Sequence, residues 1–413
     1  MATPHLPLLP AGAPAPDIRA FALLGGIESV MRGVVSSALP LAAYQALGDA
    51  RSMSLAYTVG GLSALALSFA IPSIGRRVPR RRLYAAGALG FGSAAALAAA
   101  GGPLAGAAIA LSSLSTVLLA SCFNAYLMDY IAREDLGRAE SRRLFWAAGS
   151  WTFGPFLGVW LMTAVHPAAP FVVSAAVSVA LVAAFRRLRF GDGRAIRRAK
   201  GPPPNAFAHL GRFARQPRLV AGWALAVTRS CGWMAFFIYV PVFAVEYGLG
   251  APAGGLIVSL GMAGLFASPW LQRTLLAPWG VRRTVIAAFL FGATGWILAA
   301  ALAEPAPRAA AFALVLAGVG TVLLDVAGSL PFLTAVKPRE RAEMAAVFVT
   351  FRETSLVTTS VVGGAILAVA PLPAVFLAMA GGFLVAAAGA RGLPRRLGLP
   401  RRTRPFAAAQ AAE

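Results

Sequence analysis

The stretch LLGGIESVMRGVVSSALPLA, residues 23–42, is apolar or small at almost every position, yet Glu28 and Arg32 sit in its middle. Its length matches the roughly 20 residues that a helix needs to cross a bilayer core. Blocks of the same kind recur along the whole chain, which has 413 residues and is 58% hydrophobic with only 13% charged residues. A water-soluble protein keeps a wetter exterior than this composition allows. The expected class is therefore an all-α polytopic membrane protein.

Twelve spans are expected, at roughly 20–47, 53–72, 84–103, 105–131, 144–165, 168–186, 219–244, 253–275, 284–303, 308–336, 344–369 and 371–391. Pro and Gly occur freely inside them, as in LPLAAY and IYVPVF. Neighbouring helices can satisfy the backbone groups that such residues free. The Pro-rich start MATPHLPLLPAGAPAPD has no basic n-region and does not read as a signal peptide. Cys122 and Cys231 fall inside apolar blocks, so no disulfide framework is expected. His5, His166 and His209 lie outside the spans and read as loop residues, with no zinc-ligand spacing. No cofactor and no catalytic constellation is expected, so the chain does not read as an enzyme.

The formal charge of +22 is distributed by loop. The N-terminal tail, the even-to-odd loops and the C-terminal tail hold 32 of the 37 Lys and Arg, and the opposite loops hold only Arg51 and Arg308. The other three, Arg32, Arg229 and Arg352, are inside spans. Cytoplasmic loops carry the Lys/Arg excess, which places both termini in the cytoplasm and explains the basic balance without nucleic acid. Anionic lipid headgroups are a further attraction for it.

The largest loop, 187–218, is basic and Pro-containing and divides the chain at its midpoint. It reads as a solvated linker, with a regulatory role as the alternative. The expected organisation is a cytoplasmic tail at 1–19, a six-helix bundle at 20–186, the linker at 187–218, a second bundle at 219–391 and a basic tail at 392–413. The halves repeat. A shift of 201 brings Pro40 onto Pro241 and PRRRLYAAGALGFG (79–92) onto GVRRTVIAAFLFGA (280–293). A shift of 203 brings RAE at 138–140 onto RAE at 341–343. With six spans each, the halves start on the same side and are related by an axis along the membrane normal, a parallel pseudo-two-fold.

Twelve spans, a basic central loop and parallel duplication resemble the major facilitator superfamily. PSIGRRVPRRRL (72–83) stands where that family carries its Gly/Asp/Arg-rich loop, and APWGVRRTV (277–285) is its echo. GSWTFGPFLGVW (149–160) resembles the Gly-Pro motif of the family's drug/proton antiporters. The resemblance covers roughly 18–391. It implies a secondary transporter working by alternating access. On the loop motif it assigns gate or structural roles to Arg76, Arg80, Arg81, Gly280 and Arg282. Arg76 and Ala277 occupy the positions where the family usually has Asp. The antiporter motif is reduced to Gly154, Pro155 and Gly158, with Val159 in place of the last Gly. Those small residues read either as a kink with close packing or as part of proton antiport.

Glu28 and Arg32 are four residues apart with the acid first, the favourable order for pairing on one helical face. Each alone at mid-bilayer costs about 3 kcal/mol on insertion scales. The resembled fold lines its cavity with the first, fourth, seventh and tenth helices. That assigns the cavity Glu28, Arg32, Asn124, Arg229, Trp233, Phe237 and Asp325. Asp129 reads as a clamp to Arg133 or Arg138 at the cytoplasmic end. Arg352 and Glu353 point about 100° apart on their helix and read as a helix lock. The spans hold Arg32, Arg229 and Arg352 against Glu28, Asp129, Asp325 and Glu353, one acid in excess. Asp325 is the first candidate for the coupled proton and Glu28 the second.

The expected function is transport of a small organic solute across a bacterial-type inner membrane by a monomer, with protons as the coupling ion. Export is the first expectation and uptake of an organic anion the second. A non-transporting assembly factor or sensor of the same fold is the rival.

Overall fold

The computed structural model describes residues 17–131, 135–188, 206–327, 330–336 and 340–394. Every regular element among them is a helix. Eight helices are long and apolar enough to cross a membrane unaided. They are the second span (Ala50–Arg77), third (Arg80–Ala100), fourth (Leu104–Tyr130), sixth (Ala169–Arg187), seventh (Pro217–Glu246), ninth (Ala277–Leu302), tenth (Pro307–Ala327, followed by Leu330–Ala335) and twelfth (Pro373–Ala390). The other four are interrupted or more polar. The first is broken into Ile18–Gly33 and Ala38–Leu47, and the fifth runs Leu136–Trp160 into a π turn, Leu161–Val165. The eighth runs Ala251–Ala263 and on through short turns to Leu276. The eleventh is Arg341–Phe348 and Phe351–Leu367.

Ends are set by ordinary capping chemistry. The Asp49 side chain accepts the Ser52 backbone N–H at 2.7 Å and starts the second span. Those bonds hold the Asp49 carboxyl below its usual range. Gly280 breaks the start of the ninth span with φ 73° and ψ 165°, a conformation that a Cβ disfavours.

The two halves pack alike. In the first, spans 1–5, 1–6, 2–4, 3–4 and 3–6 pack together. In the second, the same relations recur as 7–11, 7–12, 8–10, 9–10 and 9–12. Between the halves, span 2 packs on span 11 and span 5 on span 8, two contacts that a two-fold exchanges. The outer part of span 1 meets span 7.

Close approach at these seams comes from small residues. A Cβ at Gly154 would lie 2.6 Å from the Gly33 carbonyl carbon, and one at Gly158 would overlap the Val34 carbonyl oxygen. On the opposite side of span 5, a Cβ at Gly255 would lie 2.8 Å from the Pro155 oxygen. The Phe156 N–H beside that proline donates to Ser259 Oγ of span 8 at 3.0 Å. The Gly-Pro segment is thus the seam at which span 5 touches both its own half and the other.

One expectation needs correction. The loop 187–218 is not wholly a solvated linker, and His209 is not in a loop. Ala206–Ala214 is a helix carrying His209, because its Ala, Phe and Leu residues form one apolar face. Phe213 is buried with Leu219, Phe332, Met344, Phe348 and Phe351. Arg212 bridges to Glu340 at 3.2 Å and Gln216 donates to the same carboxylate at 3.2 Å. This stretch is docked on the second half. Residues 189–205, His5 and Arg133 lie outside the described residues, and so does the Arg138 side chain.

Candidate functional site

Arg229, Trp233 and Phe237 follow each other at i, i+4 and i+8, so one face of the seventh span presents all three. That face meets the tenth span at Asp325. The Trp233 indole N–H donates to Asp325 Oδ2 at 2.8 Å. Arg229 Nε lies 3.2 Å from Oδ1, an ion-pair contact whose angle is not that of a hydrogen bond.

The site continues in both directions. The Trp233 and Phe237 rings stack at 5.8 Å, and Phe237 touches Trp151 of the fifth span at 5.7 Å. Arg32 of the first span lies over Trp151 at 5.5 Å. On the other flank, Arg229 and Arg352 lie against Phe351 at 5.6 and 5.7 Å. Cations and rings alternate from the first half to the second, each cation over the negative face of a ring. Glu28 pairs with Arg32 at 3.4 Å, as the i, i+4 spacing predicts. Arg32 is in the last turn of its helix, where the dipole favours a cation, and the chain leaves helical form directly after it.

This belt is inside the protein but not sealed: the side chains of Arg32 and Asp325 keep 29% and 33% exposure, in a cleft between the halves. Among the described residues, hydrogen bonds join the halves on the side away from the arginine-rich loops. Ser54 and Tyr239 hydroxyls meet at 2.9 Å, the Phe156 N–H donates to Ser259 Oγ at 3.0 Å, and Tyr44 stands beside Glu246. That side is held closed by contacts between the halves.

Arg352 is in electrostatic reach of Arg32, Arg143 and Arg229 as well as Glu353. Four guanidiniums thus share the cleft with Glu28, Asp325 and Glu353. Two residues of the belt escape a reading based on spans. Trp151 lies within the Gly-Pro stretch, where the glycines draw attention, and Phe351 precedes a charged pair. Arg143 was also missed, since it stands at the edge of a basic loop. Its guanidinium lies over Phe123 at 5.7 Å.

Other expected residues lie apart from the belt. Asp129 pairs with Arg80, which also lies over Tyr126 at 5.2 Å. This links the third and fourth spans at the arginine-rich face; the expected partners Arg133 and Arg138 lie outside the described side chains. Arg76 and Arg81 are exposed at the same face, and Arg282 is half-buried at the start of the ninth span. Asn124 is exposed and takes no part in the belt. No group of His, Cys, Asp and Glu among the described residues has the geometry to hold a metal.

Residues 21–278 match the Major Facilitator Superfamily. No curated protein sequence matches the chain. Among solved structures, a mutant of the nucleoside transporter NupG is similar with a TM-score of 0.72 and 14% identity, over 91% of this chain and 98% of that one. A POT family transporter in complex with 5-aminolevulinic acid is similar with a TM-score of 0.71 and 11% identity, over 93% of this chain and 97% of that one. At such identities the likeness is one of fold.

Proposed function

Because the chain belongs to the Major Facilitator Superfamily, we propose that it carries a small organic anion and a proton together into the cytoplasm. It is a multi-pass membrane transporter and not an enzyme. The arginine-rich side is the cytoplasmic one, in a bacterial-type inner membrane. The anion is met by Arg229, Arg32 and Arg352 and its apolar part by Trp151, Trp233 and Phe237.

The observation that carries the reading is that Arg229 is already held by a carboxylate, Asp325, whose side chain is itself 33% exposed. An anionic solute competes with Asp325 for that guanidinium. Protonation of Asp325 removes the competitor. Solute and proton then bind together, which is the requirement for symport. Antiport needs the opposite arrangement, with proton and solute competing for one acid. The Gly-Pro motif does not restore the antiport expectation, since Gly154 and Gly158 are accounted for by the seam between spans 1 and 5.

The test is anion binding to purified protein against pH. With one linked proton, affinity rises as pH falls, by up to about tenfold per unit. Asp325→Asn should bind anions at all pH values with little pH dependence, and should no longer accumulate them in vesicles bearing a pH gradient. Binding of organic cations that tightens as pH rises would instead support proton-coupled export. Binding with no transport in vesicles would support a sensor.

A further inference from the structure

The start of the ninth span carries an open hollow of about 390 Å³, lined by Trp279, Arg283, Ile286, Ala287 and Leu290. Arg283, Ile286 and Leu290 are spaced i, i+3 and i+7, one stripe of the helix that follows Gly280. The stripe faces outward with Leu290 44% exposed, and Trp279 is 45% exposed. The break at Gly280 takes Trp279 out of register with the helix that follows, so the indole roofs the top of the stripe. Neither Arg283 nor the Trp279 N–H has a partner among the described residues. The hollow is outside the cleft and independent of the solute's identity.

We propose that this hollow holds one anionic phospholipid, its phosphate on Arg283 and its acyl chain along Ile286, Ala287 and Leu290. Three features select that occupant. The lining is apolar except at one end, where an unpaired cation and a ring N–H stand together, two donors for a phosphodiester. Tryptophan is favoured at headgroup level. The hollow is on the arginine-rich side, the leaflet whose negative surface potential attracts basic groups. The duplicated half supplies an internal contrast. Shifted by 201 residues, Arg283 corresponds to Arg82, but Trp279 corresponds to Val78 and Ile286 to Ala85. The cation is kept there without the roof or the branched wall.

The experiment is native mass spectrometry of the full chain in detergent, titrated with phosphatidylglycerol or phosphatidylcholine. One phosphatidylglycerol should remain bound at about tenfold lower lipid concentration than phosphatidylcholine. Arg283→Gln and Trp279→Ala should erase that preference, Arg283→Lys should keep most of it, and Arg82→Gln should leave it unchanged. Equal retention of the two lipids, or full retention in Arg283→Gln, would overturn the assignment. So would thermal protection by inorganic phosphate equal to that by phosphatidylglycerol, which would make the ligand a soluble anion.

Discussion

At the scale of single residues, the charges inside the spans are arranged as pairs with unequal partners. Glu28 is 9% exposed, and Arg32 on the same helix is its ion-pair partner. Glu28→Gln therefore strands Arg32, while Glu28→Gln with Arg32→Gln strands nothing. Breaking a buried pair costs up to about 3–5 kcal/mol, and less here because Arg32 is 29% exposed and also rests on Trp151. The double variant should melt at a higher temperature than the single one. A single variant as stable as the double would mean that Arg32 is held by the ring alone. Asp325 behaves differently, because removing its charge frees a guanidinium that can serve a ligand.

The sequence made this pairing legible only within a helix. The i, i+4 rule reaches Glu28–Arg32, but Arg229–Asp325 joins two helices that no local rule brings together. Depth alone suggested that both belonged near mid-membrane. Trp233 was visible as an aromatic beside Arg229, four residues on, though not as a donor to Asp325. Asn124 shows the converse, a polar residue on a cavity-assigned span that remains outside the belt.

At the scale of helices, positions of spans were legible and their interruptions were not. Hydropathy averages over about 19 residues, so it passes over a four-residue break such as 34–37. The glycines that face that break give a test. Gly158→Ala places a methyl into the Val34 carbonyl, so span 5 must move or span 1 must shift. A loss of several degrees in melting temperature is expected. Gly149, on the same helix, has open space around it, so Gly149→Ala should be neutral or gain up to about 1 kcal/mol in helix propensity. Equal effects at both positions would remove the seam as the explanation of the Gly-Pro motif.

At the scale of the whole molecule, the duplication seen as matched loops reappears as matched helix packing, because repeated apolar faces bury each other the same way. What no repeat could show is which side is closed, since that depends on contacts between the halves. Tyr239 is fully buried, and its hydroxyl joins Ser54 at 2.9 Å and the Thr359 carbonyl at 3.4 Å, tying spans 2, 7 and 11. Tyr239→Phe and Ser54→Ala should each raise labelling of a cysteine at position 61 by an impermeant reagent from the outer side, severalfold. The double variant should add little to Tyr239→Phe, because that change already breaks the bond that Ser54→Ala removes. Unchanged labelling would mean that packing alone holds that side shut.

The hydrogen bond from Trp233 to Asp325 makes the indole a built-in optical probe. An indole whose N–H points at a carboxylate sits in a local field that weakens when the acid gains a proton and shifts when Arg229 turns to a ligand. Its ultraviolet difference spectrum should therefore record the loading step directly, with no label attached. The proton-dependent signal should vanish in Asp325→Asn, while six of the other seven tryptophans, all but Trp151, lie outside the belt and supply a constant background.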